Sequence, residues 1–550
     1  MASTSDFALG KLCVGCFLVA TAACQHVEST DAPELAVTAA PLTAEAARSC
    51  GRLALEPLGS YRTGQFDEGA AEIVVHDQAQ QRLYVVNAAA AKVDVLDITD
   101  PSAPTLLDQV DLAEYGGAVT SVAVRDGVLA AAVPAEERTE PGHVVFLKAE
   151  DHQVLASVEV GALPDMLTFT PDGRYVLVAN EGEPSDDYTV DPEGSVSVID
   201  LRRGAARVKQ RDVRTASFTG CDLAALDPSV RVFGPGATPA QDFEPEYITV
   251  SADSRKAWVV LQENNAIAEI DVRRAEVIAV HGLGYKDHTK PGQGLDPSDE
   301  DGAVQIANWP VLGLYLPDAI ASYSVEGQTY LVTANEGDSR DYEGFSEEAR
   351  VEDLVLDPEV FPNAAALQDP AALGRLKITS TLGDADGDGD YDALYAYGAR
   401  SFSIRRANGE LVFDSGDQLE RITARKHPEA FNADNVDSEL EGRSDDKGPE
   451  PEGVTLGALD GRTYAFIGAE RIGSVFAYDV TNPEAPCFAG YANARVFDGD
   501  PEADAAGDLA PEGLLVIPAE NSPSGEPLLV VANEVSGSTS LYTLRHGRPR

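Results

Sequence analysis

The amino-acid sequence predicts an all-β fold, specifically a seven-bladed β-propeller with long acidic loop insertions and a ring closed by an N-terminal strand. Short runs rich in β-branched residues alternate with Gly, Pro, Asn and Asp, as is typical of strands joined by turns. A unit of about 46 residues recurs, close to the length of a propeller blade. A pair of β-sandwiches is the alternative, but the repeat and a spare N-terminal strand favour the propeller.

The third copy of the unit contains every part of the pattern. Asp165 precedes the strand MLTFT, a Pro-Asp-Gly turn leads into YVLVAN and Glu181, and SVSVIDL follows a long acidic loop. A weaker second copy contains VTSVAVRDGVLAAAVPA and GHVVFL, and the other copies begin at Glu72, Glu246, Asp318, Glu452 and Glu512. A fourth strand follows each of the first six copies, namely LLDQVDL, VLASVEV, VKQRDV, EVIAVH, ELVFDS and CFAGYA.

The seventh copy has no fourth strand after it. The segment RLALEPLGSY, residues 52–61, lies before the first copy. If it pairs with the last blade, it closes the ring and removes the exposed strand edges through which sheets associate. We therefore expect one propeller domain over residues 50–546.

The first residues are typical of an export signal. The apolar run Leu12–Ala23 is shorter than the ~20 residues that span a bilayer, and Cys24 directly follows small residues. This resembles the lipobox of bacterial lipoproteins, so residues 1–24 are predicted to be a lipoprotein signal peptide with lipidation at Cys24. Ordinary signal-peptidase cleavage is the alternative. Residues 25–49, rich in Ala, Thr and Glu, are predicted to be a flexible tether.

These features predict an exported protein, lipid-anchored at the bacterial outer membrane or cell surface, with a periplasmic or secreted location as the alternative. Cys50, Cys221 and Cys487 follow the predicted signal peptide. An oxidising compartment allows one bridge among them, and Cys50–Cys487 is favoured because their strands are expected to be neighbours. No CxxC pair follows the predicted signal peptide, so a thiolate zinc site is not expected.

The chain is strongly acidic, with 92 Asp and Glu against 41 Lys and Arg and a formal net charge of −51. This balance excludes a nucleic-acid-binding protein, which needs a basic footprint. It also excludes docking to an anionic membrane through basic residues, so membrane contact is expected only through the lipid anchor. Because 43% of the residues are hydrophobic, the chain can still build a core.

The repeated acidic residues are expected to converge on one face of the propeller, because the innermost strands begin there and the loops after the second strands also lie there. Acids that precede first strands are Glu72, Asp165, Glu246, Asp318, Glu452 and Glu512, and acids that follow second strands are Glu181, Glu263, Glu336, Glu470 and Glu534. Crowded carboxylates take up protons or bind hard cations such as Ca²⁺. The predicted metal ligands are Glu181, Glu246, Glu336 and Glu452. The alternative is that each acid only caps amides at a strand end.

Candidates for catalysis are few, and HExxH, GxSxG and P-loop motifs are absent from the sequence. Glu246 is a candidate for helping a metal to activate water. Arg340 and Arg443 are candidates for holding a phosphate-like anion, and His288 is a candidate general acid. Ordinary salt bridges are the alternative role of these cations.

The most specific motif is Asp384-Ala-Asp386-Gly-Asp388-Gly-Asp390-Tyr-Asp392. Aspartates at positions 1, 3, 5 and 9 with glycine at position 6 have the spacing of an oxygen cage around Ca²⁺. This regularity argues against a merely solvated acidic turn. We predict that all five aspartates contribute to a structural calcium site, and that the chain binds more than one Ca²⁺ when the acidic face is included.

Several segments resemble the choice-of-anchor I family. The likeness extends over residues 50–545 and rests on LPDMLTFTPDGRYVLVANEGEPSDDYTVDPEGSVSVIDL, DFEPEYITVS, LPDAIASYSV, TANEGDSRDY, DGDYDALYAYGARSFSI and SDDKGPEPEGV. This family includes relatives of the mesenchyme-specific cell surface glycoprotein associated with biomineralisation, and some members are labelled alkaline-phosphatase-like. The resemblance implies a fold and a surface location rather than a defined activity.

We therefore expect a cell-surface or periplasmic calcium-binding lipoprotein, a monomer, that presents an acidic central face to a surface ligand or mineral. The alternative is a calcium-dependent phosphoesterase of the alkaline phosphatase or phytase type, which would act on a phosphorylated small molecule at the central channel. Whether the chain is an enzyme stays open at this stage.

Overall fold

A computed structural model describes residues 52–547, which form β-strands joined by turns, loops and a few short helices. The α-helices are α1 (Pro239–Asp242), α2 (Ala364–Leu367) and α3 (Gln418–Lys426), and tighter or wider helical turns occur at Ala205–Arg207, Gln210–Asp212, Leu223–Ala225, Val351–Asp353 and Pro370–Gly374. The all-β prediction is confirmed. The predicted signal peptide, the lipidation at Cys24 and the tether lie outside the described residues.

The first half of the described chain contains one leading strand and four antiparallel sheets, each of four strands in chain order. The leading strand is β1 (Leu53–Arg62). The first two sheets contain β2 (Val74–Asp77), β3 (Arg82–Asn87), β4 (Lys92–Asp97), β5 (Thr105–Asp111), β6 (Ser121–Arg125), β7 (Val128–Val133), β8 (Pro141–Lys148) and β9 (Val154–Ala162). The next two contain β10 (Pro164–Phe169), β11 (Tyr175–Asn180), β12 (Ser195–Asp200), β13 (Val213–Ser217), β14 (Pro245–Val250), β15 (Lys256–Leu261), β16 (Ala266–Asp271) and β17 (Glu276–Gly282).

The second half contains three more four-stranded sheets and two smaller insertions. The fifth sheet has the order β20-β21-β27-β28, the sixth is β29 to β32, and the seventh has the order β1-β35-β34-β33. Their strands are β20 (Ile320–Val325), β21 (Gln328–Asn335), β27 (Ser401–Arg406), β28 (Leu411–Asp414), β29 (Pro451–Leu459), β30 (Arg462–Ala469), β31 (Ser474–Asp479), β32 (Cys487–Asn493), β33 (Pro511–Ile517), β34 (Leu528–Asn533) and β35 (Ser538–His546).

The insertions form a five-stranded sheet and a hairpin beside the fifth sheet. The five-stranded sheet has the order β18-β19-β26-β25-β24 and has its own apolar core, in which Leu373 and Ile378 are fully buried. The strands of the insertions are β18 (Tyr285–Asp287), β19 (Leu312–Leu314), β22 (Asp341–Tyr342), β23 (Phe345–Ser346), β24 (Glu348–Arg350), β25 (Lys377–Thr379) and β26 (Tyr395–Ala396). The long stretch 288–311 connects β18 to β19, and the long stretch 427–450 connects α3 to β29.

The first strands of the seven sheets contact one another in chain order, and the first strand of the seventh sheet, β33, contacts β2 of the first. A separate apolar core fills the space between each successive pair of sheets, for example around Tyr84 and Val145 between the first and second. Another core, around Leu83 and Leu541, joins the seventh sheet to the first. The leading strand β1 pairs antiparallel with β35, from Leu53 opposite His546 onward.

Three hairpins between first and second strands use the turn that the strand twist favours. Their central residues, Asp126-Gly127, Glu326-Gly327 and Asp460-Gly461, all have positive φ values, from 48° to 82°. Two successive residues with positive φ define the type I′ turn, whose twist matches that of the flanking strands. Glycine at the second position supplies this conformation without a steric penalty.

The structure differs from the prediction at the last strand of the third sheet. The predicted strand was VKQRDV, residues 208–213, but β13 begins only at Val213. The preceding residues form a helical turn in which the backbone N–H of Lys209 donates to Asp212 Oδ2 over 3.0 Å. This local side-chain bond competes with sheet pairing, so the strand forms in the less charged stretch that follows.

Candidate metal-binding face

The starts of the first strands bring acidic side chains from distant parts of the chain to one cavity. Glu72, Asp165, Asp318 and Glu512 line a cavity of about 260 Å³. These four residues lie in or just before the first strands of the first, third, fifth and seventh sheets. The lining also includes Thr120, Tyr247 and Gly453, which lie in or just before the first strands of the second, fourth and sixth sheets. Strand-start acids therefore do converge, as the repeat predicts.

The cavity is narrow because the strands around it approach closely. Gly453 and Gly513 each directly follow a strand-start acid. A Cβ atom at Gly453 would lie 2.0 Å from the carbonyl oxygen of Glu512, and one at Gly513 would lie 2.1 Å from that of Glu72. Glycine is required at both positions because any side chain would collide with the neighbouring backbone.

Burial strongly favours the protonated form of the acids in this cavity. It raises the pKa of Glu72 to about 9, with contributions from the charges of Glu534 and Asp165. It raises the pKa of Asp165 to about 6, and it shifts the pKa of Asp318 well above the usual value. At neutral pH such carboxyl groups either keep a proton or require a cation close by.

Three of the predicted metal ligands also have raised pKa values, namely Glu181, Glu246 and Glu452. Burial and neighbouring carboxylates raise the pKa of each of them well above the usual value. Oε2 of Glu246 and Oε2 of Glu452 are buried and have no hydrogen-bond partner. We use the name bare acids for the repeated acids without any ion pair among the described residues, namely Glu72, Asp165, Glu181, Glu246, Glu263, Asp318, Glu452, Glu512 and Glu534.

The fourth predicted ligand, Glu336, is instead bound to a lysine. Lys447 Nζ lies 2.6 Å from Glu336 Oε1 and 3.3 Å from Glu450 Oε2. Although burial acts in the opposite direction, Lys447, Arg471 and Arg443 hold the pKa of Glu450 down at about 2. We call Glu336 and Glu450 the bridged pair. In this part of the face the chain supplies its own cations.

The two arginines proposed for anion binding are already engaged by carboxylates. Arg340 is buried, with Nη1 2.7 Å from Asp242 Oδ1 and Nη2 3.0 Å from Glu244 Oε2. Arg443 Nη2 lies 2.8 Å from Glu450 Oε1 and 3.0 Å from Asp446 Oδ2. The charge of each guanidinium is therefore already balanced by two carboxylates.

His288 lies away from the acidic cavity. It is 1% exposed, and its Nδ1 lies 2.6 Å from the carbonyl oxygen of Gln293. Burial, together with the charge of Lys286, lowers its pKa well below the usual value. The imidazole is neutral at physiological pH, which suits a structural contact better than proton donation to a ligand.

The Asp-rich motif forms a surface loop between β25 and β26. Asp384 accepts hydrogen bonds from the backbone N–H groups of Gly387, over 2.7 Å, and Gly389, over 3.1 Å. One carboxylate oxygen each from Asp384, Asp386 and Asp392 lies within 4.8 Å of the others. Positions 1, 3 and 9 of the motif thus converge, as calcium ligands must.

The other two aspartates of the motif lie differently. Asp388 Oδ1 accepts a hydrogen bond from the backbone N–H of Asp390 over 3.2 Å. Asp390 and Asp392 group with Asp357, again with oxygens within 4.8 Å. Burial, followed by the charge of Asp388, raises the pKa of Asp390 to about 6. Asp357 was not expected from the sequence, because it precedes the motif in an otherwise unremarkable segment.

Sequence reasoning also did not identify Glu450 and Glu441 as site residues. Glu450 directly precedes the strand-start pair Pro451-Glu452, so its position beside the repeat was a usable signal. Glu441 follows Ser438-Glu439-Leu440 in a long loop, where the pattern offers no register. Its position depends on how two insertions fold against each other.

The cysteines and the apolar segments give two further observations. Cys487 is disulfide-bonded and Cys221 is a free thiol, while the predicted partner of Cys487, Cys50, lies outside the described residues. Within residues 52–547, no helix has the length and apolarity needed to cross a membrane.

Comparison with solved structures gives low overall similarity. A chain of Kuenenia stuttgartiensis hydrazine synthase superposes with a TM-score of 0.46 at 12% identity, covering 88% of this chain and 100% of that chain. The β-propeller domain of Cps50 (Swd1) from Myceliophteria thermophila gives a TM-score of 0.42 at 9% identity, covering 89% of this chain and 99% of that chain.

Sequence comparison gives clearer results. Gigasin-3a of Magallana gigas is 33% identical over 192 residues, which cover 33% of this chain and 67% of that protein. The mesenchyme-specific cell surface glycoprotein of Strongylocentrotus purpuratus is 27% identical over 290 residues, which cover 46% of this chain and 36% of that protein. The choice-of-anchor I domain matches residues 72–483. Since this match covers most of the chain, the protein belongs to the choice-of-anchor I family.

Proposed function

We propose that this protein is an exported, surface-located calcium-binding protein built as one closed seven-bladed β-propeller over residues 50–546. In this proposal Ca²⁺ stabilises the fold and neutralises part of an acidic face, which then binds a surface ligand such as a mineral or a cationic polymer. The protein acts through binding and not through catalysis.

Three features support a closed ring. The first strands contact each other in an unbroken order that returns from β33 to β2. Residues from all seven four-stranded sheets line the same cavity. The pairing of β1 with β35 places the N-terminal strand in the last sheet, which is how a ring protects its final edge.

The observation that carries calcium binding is the geometry of the loop at residues 384–392. Carboxylate oxygens of Asp384, Asp386 and Asp392 converge within 4.8 Å, and backbone N–H groups hold Asp384 in place. Oxygen-only ligands on an exposed loop suit Ca²⁺ better than Mg²⁺, which requires near-octahedral geometry, or Zn²⁺, which prefers nitrogen and sulfur.

The location is supported by the family and by one relative. The curated relative from Strongylocentrotus purpuratus is named a cell surface glycoprotein, and the N-terminal sequence has the features of an export signal followed by Cys24. In this proposal Cys24 carries the lipid that anchors the chain, and the acidic face is presented outside the cell.

No observation favours the phosphoesterase alternative. A phosphate that approaches the cavity would meet the bare acids, and Arg340 and Arg443 are each bound to two carboxylates. Phosphate recognition requires a free guanidinium edge or a bound metal with open positions. The binding function is therefore the one we put forward.

The test is calcium binding by the full chain, measured by equilibrium dialysis and metal analysis. Asp384→Asn should remove one bound Ca²⁺ per chain, because Asp384 contributes a ligand and is the acceptor that organises the loop. The matched control is Asp353→Asn, an exposed aspartate of the same insertion, which should bind as the wild type does. Equal binding by wild type and Asp384→Asn would refute the assignment of the loop.

A further inference from the structure

A second carboxylate cluster lies where two of the long insertions meet. Asp296 and Asp301 are in the stretch between β18 and β19, and Glu441 is in the stretch between α3 and β29. One carboxylate oxygen from each of the three lies within 4.8 Å of the others. None of these residues belongs to the Asp-rich loop or to the bare acids.

The cluster contains buried oxygens without partners. Asp296 and Glu441 are 0% exposed. Both carboxylate oxygens of Glu441, and Oδ1 of Asp296, have no hydrogen-bond partner. Buried polar groups in proteins are almost always satisfied, because an unsatisfied one carries its full desolvation cost. Three unsatisfied oxygens on two carboxylates of one cluster therefore indicate a missing positively charged partner.

Side chains within residues 52–547 do not supply that partner. Arg400 lies beside the cluster, but its Nη1 donates to the carbonyl oxygen of Asp296 over 2.6 Å and to Glu420 Oε1 over 2.7 Å. Its Nη2 donates to the carbonyl oxygens of Ser444 and Asp446. Among the ion pairs of the described residues, none includes a carboxylate of the cluster.

The charges of the cluster are correspondingly unfavourable when no cation is present. Burial, followed by the charges of Asp296 and Asp301, raises the pKa of Glu441 to about 8. Burial, followed by the charge of Glu420, raises the pKa of Asp296 to about 7. Asp301 is held in position, since its Oδ1 accepts from the N–H of Ala303 over 2.8 Å and its Oδ2 from the side-chain amide of Gln305 over 2.6 Å.

We propose that Asp296, Asp301 and Glu441 hold a Ca²⁺ ion that fastens the two insertions together. The donors are all oxygen, which disfavours Zn²⁺ and favours a hard cation. Mg²⁺ usually keeps several of its waters, which a mostly buried site accommodates poorly, whereas Ca²⁺ accepts irregular sets of carboxylates and carbonyls. The two unpartnered oxygens of Glu441 suit a bidentate ligand. This site uses different residues from the loop and does not rest on the proposed function.

An ion bound at this cluster would also position the segment whose cations pair with Glu336 and Glu450. Arg443, Lys447 and Glu450 follow Glu441 within one short stretch of chain. Lys447 is the residue that neutralises Glu336, over 2.6 Å. The ion therefore links the packing of the insertions to the placement of the cations on the face.

The experiment measures bound Ca²⁺ per chain by metal analysis, and amide hydrogen exchange in Ca²⁺ and in EGTA. Glu441→Gln should bind one Ca²⁺ fewer than the wild type, and the stretches 288–311 and 427–450 should no longer gain protection on adding Ca²⁺. Glu439→Gln, an exposed glutamate two residues earlier, should behave as the wild type. Combination of Glu441→Gln with Asp384→Asn should remove two ions.

A second variant covers the case in which Glu441→Gln does not fold. Asp301→Asn changes a less buried ligand and should also remove one Ca²⁺. Wild-type stoichiometry and wild-type exchange in a folded Glu441→Gln or Asp301→Asn protein would overturn the proposal. If only Asp384→Asn loses an ion, this site is wrong and the loop assignment stands. If Mg²⁺ alone gives the same protection as Ca²⁺, the choice of ion is wrong.

Discussion

The bare acids and the bridged pair differ in how their charge is balanced, although Glu336 is close enough to Glu452 to raise the pKa of that bare acid. Glu72 has a pKa of about 9 because burial dominates and its neighbours are other carboxylates. Glu450 has a pKa of about 2 because Lys447, Arg471 and Arg443 outweigh its burial. The two pKa values thus lie at opposite ends of the range, although both glutamates lie beside the starts of first strands.

The acids of the repeat therefore differ in charge according to whether cations from elsewhere in the chain lie beside them. Lys447 and Arg443 come from the stretch between α3 and β29, which is not part of the repeat. Where no insertion supplies a cation, the buried carboxyl groups need protons or metal ions. The bare acids are therefore the part of the face whose state depends on the solution.

The largest effect is expected from removing the cation of the bridged pair. Lys447→Met would leave Glu336 without its ion pair, whereas Glu450 would keep Arg443 and Arg471. Breaking a buried pair from one side costs about 3–5 kcal/mol of unfolding free energy. The measurement is urea denaturation of the full chain in Ca²⁺. Lys290→Met is the control, because the ion pair of Lys290 with Asp287 is exposed, and such pairs contribute about 1 kcal/mol or less. Similar losses in the two variants would contradict the comparison.

The next largest effect is the loss of stability that we expect in the calcium-free protein as the pH rises and the bare acids lose their protons. Their pKa values are higher in the folded than in the unfolded state, so the folded protein binds more protons. The stabilisation is complete below the unfolded pKa values and is lost as the pH rises through about 6 for Asp165 and about 9 for Glu72. The melting temperature in EGTA should therefore fall across this window, and the stabilisation by Ca²⁺ should grow as protons leave.

A smaller effect is expected from replacing Glu72, and it tests the alkaline end of the dependence of stability on pH. Glu72→Gln removes a carboxyl group that titrates near pH 9, so the variant should lose less stability than the wild type at the alkaline end. The control is Glu68→Gln, an exposed glutamate in the same segment. An unchanged alkaline limb in Glu72→Gln would show that the pKa of Glu72 is not raised in the folded state.

Much of the sheet structure could be predicted, because alternation and turn residues are local signals. Five of the six predicted fourth strands are present where the sequence places them. The exception is residues 208–213, where a hydrogen bond from the backbone of Lys209 to the side chain of Asp212 holds a helical turn before the strand begins. The convergence of Glu72, Asp165, Asp318 and Glu512 was also predictable, since each residue has the same place in its repeat.

The partners of those acids were not predictable. Lys447 meets Glu336 across 111 positions of chain, and Asp296 meets Glu441 through two insertions that have no repeat. Such contacts depend on tertiary packing that no local pattern encodes. The same limit explains why Arg340 and Arg443 were candidates for anion binding, whereas the structure has both of them in ion pairs with carboxylates.

The most direct test of the central claim is the melting temperature of the wild-type chain, at one pH near 8, in excess Ca²⁺ and in EGTA. Ligand that binds only the folded state stabilises it by about 2.7 kcal/mol at a hundredfold excess over the dissociation constant. We expect a higher melting temperature in Ca²⁺ by several degrees, with Ca²⁺ retained after dialysis. Equal melting temperatures, with no Ca²⁺ bound, would contradict it.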